Sequence, residues 1–241
     1  MFGYLRAFLI VALLAGISAG IVSWGVFMLG TTPLILEAEV YENSAPVAAE
    51  PAATETPAAD GHDHDHAEGW APADGWERNL YTLGAEIITG VGYALLLTAG
   101  IVFFGKGADW RRGLLWGLAG FATFTLAPSL GLPPELPGTE AAPLVARQTW
   151  WLGTVAATAA GLFAAARLRN TIGYGIAVVL IALPHVIGAP QPAQPGGLAP
   201  ESLERQFIAV AIGSALVFWL VLGALTGAFF KRYAPDTEAL A

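Results

Sequence analysis

A short run of alternating imidazoles and carboxylates, His62-Asp63-His64-Asp65-His66, is the part of this 241-residue sequence with the clearest potential for chemistry. It holds three of the four histidines in the chain. Neutral imidazole nitrogens and carboxylate oxygens are ligands that suit Co²⁺, Ni²⁺, Zn²⁺ and Cu²⁺, without strong selection among them. The run therefore predicts capture and release of a divalent transition metal. The alternative is a solvated acidic tract whose histidines bind nothing.

The fourth histidine, His185, stands near the end of an apolar segment, between Pro184 and Gly188. Pro184 lacks an amide hydrogen and can break a helix, and broken helices at membrane depth usually line a cavity. Ionisable residues inside a membrane segment are costly to bury, which makes them candidate functional residues. Glu86 is predicted to lie at the same depth in another segment, and with His185 and Ser129 it would form an acceptor site lined by nitrogen and oxygen. The alternative is that both are ordinary interfacial residues, with His185 bonded to a carbonyl and Glu86 meeting water.

The segments that must position these residues are membrane spans. Hydrophobic residues make up 55% of the chain and charged residues only 12%, which is outside the usual range of soluble domains. A helix needs roughly 20 apolar residues to cross a hydrocarbon core of ~30 Å. Six runs satisfy this: 7–29, 83–104, 113–130, 149–166, 172–188 and 207–230. The sequence predicts an all-α polytopic membrane protein of about six transmembrane helices.

The basic residues predict the orientation of these spans. Eight fall on one side, namely Arg6, Lys106, Arg111, Arg112, Arg167, Arg169, Lys231 and Arg232, and three on the other, namely Arg78, Arg147 and Arg205. By the positive-inside rule the first side is cytoplasmic, so both termini are cytoplasmic and the histidine run faces outward. The first run also has features of a signal peptide, with Arg6 before an apolar core and small residues after it. Its removal would leave five helices in the same orientation.

The sequence divides into five segments. Residues 1–36 form the first transmembrane helix, and residues 37–79 form an acidic, partly disordered outer loop with the histidine run and eleven of the nineteen acidic residues. Residues 80–112 contain the second transmembrane helix and a cytoplasmic loop. Residues 113–171 form a second helical hairpin, and residues 172–241 a third hairpin with a cytoplasmic tail.

A weak internal repeat accompanies this division. Each outer loop closes on an arginine followed by an amide, at Arg78, Arg147 and Arg205. The pattern indicates three hairpin repeats of the kind from which transporters are built. Chance recurrence of interfacial arginines is the alternative.

Glycines spaced four residues apart predict close helix packing. The pairs are Gly16/Gly20, Gly113/Gly117 and Gly223/Gly227. Small residues at this spacing let two membrane helices approach closely. They predict packing and carry no information about a transported ion.

Several function classes are excluded by composition. The chain has no Cys and two Met, so it offers no disulfide framework and almost no soft ligand for copper(I). Its net charge of −8 predicts attraction to cations and no nucleic-acid partner. Residues 100–107 approach a P-loop, but Gly107 replaces the required Ser or Thr. No hydrolase motif is visible, so we expect no enzyme, the alternative being intramembrane chemistry at His185.

Four stretches in this order resemble the CbtA family, the predicted cobalt transporter subunit of bacteria. They are TPLILEAEVYE at 32–42, DGWER at 74–78, APSLGLPPELPG at 127–138 and LPHVIGAP at 183–190, with the outer His-Asp loop between the first two. The resemblance covers nearly the whole chain. It implies a cobalt-uptake protein of the bacterial inner membrane, associated with cobalamin synthesis and accompanied by CbtB, a small one-span subunit carrying histidines. Family members are often described with five spans.

The sequence and the resemblance together predict uptake of Co²⁺, with Ni²⁺ as an alternative cargo and no resident cofactor. The outer His/Asp loop would gather the ion, and His185 with Glu86 would accept it at the outer mouth. The alternative is a membrane-anchored metal-binding or sensing subunit that supports a partner permease. Expected partners are the metal ion, membrane lipid and a CbtB-type subunit, and a homo-oligomer is left open.

Overall fold

The computed structural model describes residues 2–44, 72–104, 109–194 and 196–233, and within them each predicted span lies in a helical segment. The helices are α1 (Phe2–Ser44), α2 (Trp76–Phe104), α3 (Trp110–Phe121), α4 (Ala127–Ser129), α5 (Leu144–Leu168), α6 (Thr171–Ile187) and α7 (Glu201–Tyr233), with a π-helical turn, Ala122–Leu126, joining α3 to α4. Four of them, α1, α2, α5 and α7, are long and apolar enough to cross a membrane, and α6 is a shorter apolar helix. The chain is an all-α polytopic membrane protein, as predicted.

Helix α1 is much longer than a membrane span. Its 43 residues extend about 64 Å at 1.5 Å per residue, roughly twice the ~30 Å hydrocarbon core. We name the end of the bundle that carries the loops 130–143 and 188–200 the outer end, after the predicted orientation, and the opposite end the inner end. The helix continues to Ser44, eight residues beyond the segment 1–36. Leu34 and Ala38 in this outer part are buried, whereas residues 40–44 are exposed.

The outer loops form a cap on α1 and α7. Leu34 and Ala38 of α1 pack with Leu136, Leu203 and Phe207 in one buried apolar cluster. The loops 130–143 and 188–200 are joined by backbone hydrogen bonds, including one from the N–H of residue 198 to the carbonyl of residue 138 at 3.2 Å. The second and third predicted hairpins therefore meet at the outer end.

The helices do not pack in the order of the sequence. Helix α1 lies between α2 and α7, and α7 packs in turn against α3. Helix α6 packs against α5 and shares no extensive interface with α7, which follows it in the chain. The α5–α6 pair contacts the remaining helices mainly through the π turn and α4.

The predicted close approaches are confirmed at glycines. A Cβ atom on Gly20 of α1 would lie 2.7 Å from the carbonyl oxygen of Glu86 and from the Cα of Ile87 on α2. A Cβ on Gly223 of α7 would lie 2.7 Å from the Cα of Gly117 on α3. These backbones touch directly, so no larger side chain fits at either position.

The π turn has a local cause and an aromatic neighbourhood. The N–H of Ala127 bonds to the carbonyl of Ala122, five residues earlier, just before Pro128, which cannot continue the normal ladder. Within the turn, Thr125 Oγ1 accepts a hydrogen bond from Trp219 Nε1 at 3.1 Å. Phe124 stacks on the same indole, with ring centroids 5.7 Å apart. The turn thus fixes α3 to α7 at the middle of the bundle.

Candidate functional site

The predicted metal-binding residues fall in three different places. His62, Asp63, His64, Asp65 and His66 lie outside the described residues. His185 lies near the outer end of α6, and Glu86 lies in the outer half of α2. His185 and Glu86 are therefore the predicted metal-binding residues that the structure places.

His185 presents a buried nitrogen without a partner. Its Nε2 atom is buried and has no hydrogen-bond partner among the described residues. Its ring stands edge-on to the indole of Trp150 on α5, with centroids 5.8 Å apart and an interplanar angle of 69°. Burying a polar atom without a hydrogen bond costs free energy. A bound ligand would offset this cost at His185.

The backbone beside His185 is held by Trp150. The indole Nε1–H of Trp150 donates to the carbonyl of Pro184 at 3.1 Å, and the N–H of Gly188 donates to the same oxygen at 3.0 Å. Because Pro184 has no amide hydrogen, the carbonyl of Leu180 loses its usual helical donor. The helix end is thus fixed from α5. Helix α6 continues through Pro184 to Ile187, so the predicted break is absent there, although the Leu180 carbonyl lacks its helical donor.

Gly131 lets the second outer loop approach the same indole. A Cβ atom on Gly131 would lie 2.5 Å from Cη2 of Trp150 and 2.9 Å from Cβ of Ala189. The loops that carry the motifs at 127–138 and 183–190 therefore converge on Trp150. Sequence reasoning missed this residue, although two consecutive tryptophans, Trp150 and Trp151, at the outer end of a span were a usable signal.

We expect Trp150→Phe to destabilise the protein while keeping an aromatic ring beside His185. The change removes the N–H donor to Pro184, and one such bond contributes about 1 kcal/mol to the free energy of unfolding. The measurement is unfolding of the purified protein in detergent, with Trp151→Phe as the matched control. Equal losses in the two variants would show that the bond to Pro184 adds no stability of its own.

Glu86 belongs to a different interface. It is half-buried on α2, where its carbonyl faces Gly20 of α1. Helix α2 packs against α1, α7 and α3, whereas α6 packs against α5, so Glu86 and His185 lie on helices without an extensive contact. Ser129 lies in α4, which packs on α5. Within the described part of the chain, no three His, Asp or Glu side chains are grouped to hold one metal ion.

The repeated outer arginines share one role. Arg78 bonds to both carboxylate oxygens of Glu39, at 2.5 and 3.1 Å, and links α2 to α1. Arg147 pairs with Glu135 at 3.1 Å, and Arg205 pairs with Glu201. Each outer arginine is thus paired with a carboxylate.

A cavity of about 620 Å³ opens beside one of these ion pairs. It lies between the loop after α4 and the start of α5, and Glu135, Arg147 and Gln148 supply its polar groups. Trp151 lines it, next in the chain to the Trp150 that contacts His185. The outer end therefore offers a polar recess whose lining includes the residue next to Trp150, the aromatic neighbour of His185.

Comparison with known protein families identifies this chain as similar to one of them. A family described as "Probable cobalt transporter subunit (CbtA)" matches residues 5–231. No curated protein and no solved structure matches the chain.

Proposed function

The chain belongs to the CbtA family of probable cobalt transporter subunits. We propose that it transports a divalent transition metal, with cobalt as the expected ion, inward across the bacterial inner membrane. The proposed orientation has both termini in the cytoplasm and the outer end toward the periplasm. The family is one of transport, and we assign no catalytic role to any residue.

The buried Nε2 of His185 carries the proposal for an intramembrane acceptor. A neutral imidazole nitrogen is a good ligand for Co²⁺ and Ni²⁺. This nitrogen bonds to nothing among the described residues, and Trp150 holds the adjacent backbone. A metal ion would satisfy the nitrogen, with water or a carbonyl completing the coordination. Glu86, on its own interface, is proposed as a separate oxygen ligand and not as part of the same site.

The outer His/Asp run, His62 to His66, is proposed as the collector. It stands in the acidic segment that carries most of the chain's carboxylates, which raises the local cation concentration. Inward movement of a divalent ion gains about 4.6 kcal/mol per 100 mV of membrane potential. Uptake driven by the potential therefore needs no ATP hydrolysis.

The second candidate function is an accessory subunit that binds metal and hands it to a partner permease. The family description, which names a subunit, favours a partner. Such a partner would be a small one-span protein of the CbtB type, and assembly of several copies of this chain is the other arrangement to be tested.

Purified full-length protein in liposomes separates the two functions. With a metal-sensitive dye inside and the interior held negative, we expect Co²⁺ to enter faster than Zn²⁺ when this chain is present alone. Ni²⁺ is measured alongside to test the alternative cargo. Metal that enters only after the one-span partner is added would assign the accessory role, and absence of any metal binding would reject both.

Deletion of residues 61–68 tests the collector. If the run only gathers ions, uptake should fall at scarce cobalt and recover at saturating cobalt. At saturation the bulk Co²⁺ concentration is high enough to load the acceptor without a collector. The measurement is the initial uptake rate over a range of Co²⁺ concentrations. An equal fractional loss at every concentration would contradict the collecting role and indicate a structural one.

A further inference from the structure

A second large cavity, of about 980 Å³, lies between α2, α3 and α5 toward the inner end of the bundle. Helices α2 and α5 share no extensive backbone contact. Their inner parts meet through the rings of Phe104 and Phe163, whose centroids are 5.6 Å apart. Small residues on the facing helices, Ala119 on α3 and Ala159 and Ala160 on α5, leave the remaining space as a groove.

The groove is amphipathic along its length. Its walls are leucines, alanines and aromatic rings, including Trp116 and Phe124. At its inner end it is lined by two arginines, Arg112 in the first turn of α3 and Arg169 at the end of α5. An apolar groove that ends in two guanidinium groups fits a molecule with apolar chains and an anionic head.

Arg169 also has an unusual backbone. It is the one non-glycine residue in the described segments with a positive φ, 49°, where it ends α5 in the left-handed conformation. This conformation disfavours side chains, and helices commonly end on glycine there. Arg169 nevertheless occupies this position, and its side chain lines the groove.

The charges around the groove favour an anion. Asp109 caps α3 and accepts a hydrogen bond from the N–H of Arg112 at 2.9 Å. That bond holds the pKa of the Asp109 carboxyl below its usual value, so this one negative charge persists. Arg111 and Lys231 also lie near Asp109, so positive charge is in excess among the described residues at this end.

We propose that this groove binds one anionic phospholipid of the inner leaflet, with its phosphate against Arg112 and Arg169 and its chains along α2, α3 and α5. Anionic lipids are enriched in the cytoplasmic leaflet, and basic pockets between helices on that side bind their headgroups. A transmembrane helix of a partner fits less well, because its cytoplasmic end carries Lys and Arg by the positive-inside rule and would meet like charge. Free phosphate would leave the apolar walls uncovered.

Native mass spectrometry of the purified full-length protein tests the assignment with phosphatidylglycerol and phosphatidylcholine as probes. We expect one phosphatidylglycerol to be retained and phosphatidylcholine to be lost. The double variant Arg112→Gln, Arg169→Gln should weaken phosphatidylglycerol binding on the order of ten- to thirty-fold, since each arginine near anionic lipid contributes appreciably. Arg111→Gln, Arg167→Gln is the matched control, because it removes two charges at the same end from residues that do not line the groove.

A second variant, Ala160→Phe, fills the groove and keeps both arginines, so it should also release the lipid. Binding is compared only between variants that elute as monodisperse protein. Equal weakening in the Arg111/Arg167 control would overturn the proposal in favour of nonspecific surface charge. Retention in both groove variants, or displacement of the lipid by a co-purified one-span protein, would also overturn it.

Discussion

Gly223→Leu should abolish the packing of α3 on α7 and leave little folded protein. A Cβ atom at this position would already lie 2.7 Å from the Cα and the N of Gly117, and these are backbone atoms that cannot rotate away. Overpacking usually costs roughly 1–3 kcal/mol where side chains can adjust. Here the helices must separate, so we expect a loss at or beyond the upper end of that range. The aromatic cluster around Trp219, one turn away, would lose its support.

Gly213→Leu on the same helix is the control, because a Cβ there has nothing within 4 Å and the position is exposed. It should elute as the wild-type protein does from a size-exclusion column in detergent and unfold at the same temperature or higher. Gly223→Leu should aggregate or unfold far below that temperature. Normal behaviour of the Gly223 variant would mean that α3 and α7 are not in direct backbone contact.

His185→Ala should reduce cobalt uptake at least about ten-fold, the lower range seen when groups that support a metal site are removed. The change removes the buried nitrogen that lacks a partner and leaves the bond from Trp150 to the Pro184 carbonyl available. The measurement is the initial rate of Co²⁺ entry into liposomes, with protein stability followed in parallel. Unchanged uptake by a stably folded variant would remove His185 from the pathway.

Comparison with Glu86→Gln tests whether there is one site or two. Helices α2 and α6 share no extensive contact. The reductions in the logarithm of the uptake rate caused by His185→Ala and Glu86→Gln should therefore add in the double variant, as they do for distant, independent residues. Strong non-additivity, with the double variant no worse than either single one, would indicate that both side chains bind the same ion in another conformation.

The apolar spans were predictable because a membrane imposes the same length and composition on every crossing helix. All six runs lie in helical segments, and even the break near Pro128 and the end of α6 near Gly188 follow from local residue chemistry. The glycine pairs also predicted close contacts between helices. The pairs did not predict which helix would pack against each of them. Gly113/Gly117 could have packed against any face of small residues, and they pack against Gly223/Gly227.

In the candidate site too, the sequence predicted some features and only the folded structure determined others. The sequence by itself singled out His185 through its ionisable side chain, its predicted depth and the neighbouring Pro184, and it identified the family through motifs spread over the chain. Only the tertiary structure decided that Trp150 is the neighbour of His185 and that the backbone of Glu86 contacts α1. It also extended α1 to Ser44, past Leu34 and Ala38, which pack in one buried cluster with residues of the outer loops and α7. The physical reason is that hydropathy and residue chemistry act locally, whereas the choice of neighbour depends on which helix surfaces fit each other across the folded bundle.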